Sequence, residues 1–120
     1  MLDRMLVVLS EPVPGREDEY NEWYDAIHLP EALTIPGFRG ARRFRTAVSS
    51  EDPGPALGAS YLTIYDLDVD TEIAARNLME ARQNGRLSPL SPALATETIV
   101  RAWFNPVGEW ARVAEEAPRA

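Results

Sequence analysis

The sequence predicts an α+β fold of order βαββαβ, and three observations carry that reading. Four β-compatible runs, two segments with helical periodicity, and the Pro/Gly turns between them follow one another in that order along 120 residues. Two split βαβ units of this kind close into one four-stranded antiparallel sheet with both helices on one face, the ferredoxin-like arrangement.

The elements come in turn. Met5 to Leu9 is a continuous apolar run with two valines, as expected of a strand buried on both faces. After Pro14-Gly15, the residues Tyr20, Trp23, Tyr24 and Ile27 fall at i, i+3, i+4 and i+7, one stripe of a helix. Glu17, Asp18 and Glu19 suit the positive end of that helix, and Pro30 disfavours the α region for Leu29, so the helix is expected to stop there. Pro36-Gly37 makes the next turn. Phe38 to Val48 and Ser60 to Leu67 read as the second and third strands. The connection between them, SSEDPGPALG, is expected to be the least ordered internal segment, because it offers little apolar surface to dock. A second helix is expected from about Asp70 to Gln83, with Ile73, Ala74, Leu78 and Ala81 on one face and Gly85 as its cap. The irregular LSPLSP leads to a last strand, Glu97 to Phe104. The domain thus spans 1–106, with an Arg/Glu/Ala-rich tail over 107–120, either a short helix or irregular.

Alternation along the third strand is expected to send Leu62 and Ile64 towards the helices, and Tyr61, Thr63 and Tyr65 to the opposite face. No spare element covers that opposite face, so a second copy, packed sheet to sheet into a closed barrel, is the expected lid.

Composition narrows the chemistry. The sequence has no cysteine and one histidine, which excludes disulfides, thiolate catalysis and a multi-histidine metal cage within one chain. No metal and no cofactor are expected; one histidine can serve as an axial haem ligand, but nothing else in the sequence selects haem. A net charge of −7 with dispersed arginines argues against nucleic acid and anionic lipid as partners. The apolar stretch in MLDRMLVVLSEP is preceded by Asp3 and ended by Glu11 and Pro12, so it reads as a strand and not as a signal peptide. No run approaches the roughly 18 apolar residues of a membrane span, and a cytoplasmic location is expected.

The stretches EYNEWYDAIHLPEALTIPGFRGARRF and YLTIYDL resemble the EthD-like branch of the dimeric α+β barrel superfamily. The resemblance runs from the first strand to the fourth. Its most specific part is Asn21, Trp23-Tyr24 and His28-Leu29-Pro30, followed by Pro36-Gly37-Phe38. It implies a homodimer whose sheets form a barrel, with a pocket between sheet and helices in each subunit. Cofactor-free cyclases, quinone-forming monooxygenases, isomerases, haem enzymes and proteins of no known activity share this fold, so it does not choose a reaction.

The candidate site centres on His28, which continues the aromatic stripe and should face the sheet. A lone imidazole in a last helical turn commonly bonds a carbonyl or meets the helix dipole; the family signature raises the alternative, general acid or base catalysis without a cofactor. Tyr24 is expected to orient His28 or bind a substrate oxygen, and Trp23 either walls the cavity or is simply core. Tyr61 and Tyr65 either poise an enolate or stack across the dimer interface. Arg42 and Arg43 are adjacent, so one is sent to each sheet face, and whichever faces a cavity is expected to bind a carboxylate or enolate oxygen; Arg43 is named for the site, with the face of each left open. Asn21, Glu22 and Asp25 fall off the stripe and are expected at the surface. The expected function is a cofactor-independent enzyme of small aromatic, quinone-like or polyketide-type metabolism. The alternatives are a non-catalytic binder of such a ligand and an accessory subunit of a larger oxygenase or synthase.

Overall fold

The structure is a computed structural model that describes residues 2–47, 49–52, 54 and 57–114. The strands are β1 (Arg4–Pro12), β2 (Phe38–Arg45), β3 (Tyr61–Leu67) and β4 (Leu94–Phe104). The helical elements are α1 (Glu17–Trp23), a π-helical turn (Tyr24–His28), α2 (Leu29–Ala32) and α3 (Thr71–Gln83). The strands form one antiparallel sheet of order β2-β3-β1-β4, with the helices on one face. This is the expected ferredoxin-like α+β topology. Among the described residues no helix is long and apolar enough to cross a membrane.

Several boundaries differ from expectation. β2 ends at Arg45, although one more bond, from the Thr46 N–H to the Ser60 carbonyl at 2.8 Å, extends its pairing with the chain entering β3. β4 begins at Leu94 and not at Glu97, because Leu94 and Ala95 pair with Pro12 and Glu11 beyond a bulge. Thr98 stabilises that bulge: its hydroxyl accepts from the Glu11 N–H at 2.9 Å and donates to the Ala95 carbonyl at 2.6 Å. On α3 the buried residues are Ala74 and Ala81, with Leu78 packed beside them, while Ile73 lies at the border of that stripe and is exposed. The connection SSEDPGPALG and the tail both fall in part outside the described residues; residues 105–114 follow β4 without regular structure.

The sheet reverses the expected faces of β3. Leu6, Val8 and Ser10 stand opposite Tyr65, Thr63 and Tyr61, and Tyr61, Thr63 and Tyr65 are all buried on the helix side. Leu62 and Ile64 therefore belong to the open face. The reason is that the aromatic stripe of α1 needs aromatic partners: Tyr61 packs against Tyr20, and Tyr65 meets Phe38 edge to face. On the open face Met5, Val7 and Leu9 of β1 are half-buried, so within one chain this strand is covered on one side only.

One turn residue is fixed by both conformation and space. Gly37 has φ +95°, and a Cβ there would collide with Val69 Cγ2. Gly40, in β2, has open space around it. Replacing Gly37 by Ala should cost about 1–3 kcal/mol, while Gly40→Ala should change stability by less than about 1 kcal/mol. Urea denaturation of the two variants checks this.

Candidate functional site

The helix that carries the site does not stop at Leu29. Proline has no N–H, and in a regular α-helix its ring would press on the carbonyl four residues back, at Ala26. Here the chain widens first. The Leu29 N–H reaches back to the Tyr24 carbonyl, closing a π-type i→i+5 turn, and the helix then continues through Pro30 to Ala32. The wider turn slows the rotation of the side chains about the axis. Ile27, expected on the stripe, is left 43 % exposed, and His28 swings over the sheet in its place.

His28 lies against two rings. It stacks on Trp23, with centroids 4.6 Å apart at 20°, and meets Tyr24 edge to face at 5.3 Å. Among the described residues neither ring nitrogen has a hydrogen-bond partner. Burial lowers its pKa to about 4; the Glu31 carboxylate opposes this, and the positive charge of Arg82 adds to it. The imidazole is therefore neutral at physiological pH. Glu31 is itself committed elsewhere: it accepts from the Ser88 N–H at 2.8 Å and from the Ser88 hydroxyl, bonds that hold its pKa below the usual carboxylate value.

Between the helices and the sheet lies a cavity of about 720 Å³. That size falls within the roughly 300–1,000 Å³ of small-molecule sites. Trp23, Tyr24 and His28 line one wall, Leu6, Val8 and Tyr65 the sheet floor, Leu78 and Arg82 the side towards α3, and Leu87 to Leu90 part of the rim. Ile99 and Arg101 of β4 complete it. Burial raises the Tyr65 pKa, so this hydroxyl stays protonated and can donate. Among the described residues no group of three or more His, Asp or Glu is placed to hold a metal ion.

Behind Tyr24 sits a second polar cluster. The Tyr20 hydroxyl is 2.6 Å from Ser10 Oγ and the Tyr24 hydroxyl 3.4 Å; burial pushes the Tyr20 pKa up to about 12. Arg43 lies over the Tyr24 ring at 4.5 Å and donates to Asn21 Oδ1 at 2.7 Å and Asp25 Oδ1 at 3.0 Å. Its Nε is buried without a partner among the described residues. Tyr61 donates to Glu17 and accepts from Asn21 Nδ2 at 3.3 Å. Asn21 is thus half-buried and structural, not a surface residue as its place off the stripe suggested.

The sequence-selected residues therefore divide. Trp23, Tyr24, His28 and Tyr65 line the cavity, whereas Arg43 and Tyr61 meet each other outside its lining, Arg43 lying over Tyr24 and Tyr61 packing on Tyr20. Arg42 is on the open face, over the Phe44 ring. The cavity's own cations, Arg82 and Arg101, escaped the sequence reading. A signal existed for the first: Arg82 is four residues after Leu78, on the same helix face.

No family model matches the sequence, and no curated protein matches it. Solved structures do. An ethyl tert-butyl ether D (EthD) family protein from Bacillus halodurans C-125 is 16% identical with a TM-score of 0.51, over 88% of this chain and 100% of that one. The Arabidopsis thaliana protein At3g17210 is 10% identical with a TM-score of 0.60, over 90% of this chain and 99% of that one. At these identities the likeness is one of fold, and the fold is EthD-like as the sequence implied.

The histidine makes stability depend on pH. Its pKa is about 4 in the folded chain and 6.5 as the ordinary value, so between these limits the unfolded chain binds more protons. The His28 contribution should be complete above about pH 6.5 and fall away as the pH drops towards about 4. Urea midpoints should show wild type losing stability across that window relative to His28→Gln, with parallel curves contradicting a buried neutral ring.

Proposed function

We propose that the chain is a cytoplasmic, homodimeric, cofactor-independent enzyme acting on a small aromatic, quinone-like or polyketide-type molecule, with His28 as the general base. One observation carries this reading: a neutral imidazole without a hydrogen-bond partner among the described residues faces a largely apolar cavity of ligand size. A free nitrogen in that position can take a proton from an activated carbon or hydroxyl, and return it to the product. Trp23 holds the ring flat by stacking, Tyr24 fixes its edge, and Tyr65 offers a donor to a developing oxyanion. Arg43 acts one layer back by lying over Tyr24, and Tyr61 by packing on Tyr20 and meeting Arg43.

The homodimer is supported by the open sheet face. Leu62, Ile64 and Phe44 stand there on β3 and β2, and across β1 from them, on β4, Val100 is 56 % and Phe104 46 % exposed. A second sheet of the same kind would cover them. The low basicity of His28 favours a second reading, a binder without turnover, because a base of pKa about 4 removes protons only from already acidic positions.

Turnover of a panel of phenols, quinones and poly-β-keto compounds tests the first reading. His28→Ala should lower the rate by about two powers of ten or more while costing under about 2 kcal/mol of stability. The wild-type rate should fall as pH drops through about 4, where the base is protonated. Saturable binding with no turnover would establish the binder instead. Light scattering should return the dimer mass for wild type and the monomer mass for Ile64→Asp; a monomeric wild type would refute the barrel.

A further inference from the structure

We infer that the cavity's ligand carries a carboxylate, held between Arg82 and Arg101, on an apolar ring-containing body directed towards Trp23 and His28. This rests on the cavity as the ligand site of the proposed function, but not on turnover. Arg82 comes from the last turn of α3, and Arg101 from β4, opposite Val8 on the helix side of the sheet. Both line the cavity, and among the described residues they are the charged ones that do so: no described aspartate or glutamate lines it, in a chain with 19 acidic residues against 12 arginines.

Arg4, Arg16, Arg39, Arg43 and Arg45 each pair with a carboxylate, whereas among the described residues Arg42, Arg76, Arg86 and Arg112 do not; what sets Arg82 and Arg101 apart is that they line the cavity. Among the described residues Arg82 and Arg101 have neither an ion pair nor a hydrogen bond. They also oppose each other: burial and then the charge of Arg101 lower the Arg82 pKa. Two like charges that line the same apolar space gain when an anion sits between them, and a guanidinium fork matches the two oxygens of a carboxylate. Glu31, the nearby acid, is held by Ser88 and does not line the cavity.

Calorimetric titration of the dimer or monomer as purified, with 1-naphthoate and with its neutral counterpart 1-naphthamide, tests the inference. Wild type should bind naphthoate at least about tenfold more tightly, and added salt should weaken naphthoate alone. In Arg82→Gln/Arg101→Gln that preference should vanish, with naphthamide affinity unchanged within about twofold, which also reports that the variant is folded. Equal affinity for the two probes in wild type, or a preference retained by the double variant, would overturn the carboxylate and leave the cavity as a ligand site. Failure of both probes to bind wild type would overturn the cavity and this inference with it.

Discussion

Pro30 is the constraint on which the site depends. A residue that cannot donate a backbone hydrogen bond stands where the helix must still run three more residues to carry Ala32 and, after it, Ile35 into the core. The helix meets this by opening one π turn ahead of the proline. Leu29 keeps α dihedrals, φ −64° and ψ −46°, although the residue before a proline is ordinarily pushed away from them. The consequence is rotational. With the wide turn, Ile27 is left exposed, and Trp23, Tyr24 and His28 face one cavity.

What keeps that wall in place is the satisfaction of buried hydroxyls. A tyrosine brings much apolar area into a core but also an oxygen that is costly to leave without a partner. Ser10 serves Tyr20 and stands within reach of Tyr24, and Glu17 and Asn21 serve Tyr61. Arg43 ties the group together by lying over Tyr24 while bonding Asn21 and Asp25. The polar cluster and the cavity therefore share Tyr24 as a common wall. One side is hydrogen-bonded and fixed, and the other is apolar and open to a ligand. On the cavity side burial lowers the proton affinity of His28, while behind Tyr24 the tyrosine hydroxyls find partners in Ser10, Glu17 and Asn21.

Much of the fold was legible because its signals are local. The stripe from Tyr20 to Tyr24, the Pro36-Gly37 turn and the four β-compatible runs gave the element order, and the EthD-like signature around His28 pointed to the topology that the sheet adopts. The faces of β3 were not legible in that way. Leu62 and Ile64 are as apolar as Tyr61 and Tyr65, so alternation defines two faces without saying which meets the helices, and the aliphatic pair was a natural but mistaken choice of core. The helix end failed for a related reason: the rule that proline stops a helix has an exception when the preceding turn can widen. Arg82 and Arg101 were hidden because they come from different elements, and nothing in either neighbourhood shows that the fold brings them to one cavity. Trp23, Tyr24 and His28 were legible as a group because they share one helix stripe, whereas Tyr65 was expected on the other sheet face and lines the cavity only because β3 is turned the other way.

The central claim is that His28 is a neutral, shielded base in a ligand cavity, and as the chain's single histidine it can be followed without assignment ambiguity. Titration of its ring carbon and nitrogen resonances by NMR, from pH 8 downwards, tests this most directly. The account predicts one neutral form down to about pH 5 and a protonation midpoint near about 4. A midpoint near 6.5, the value of a histidine in open water, would contradict it.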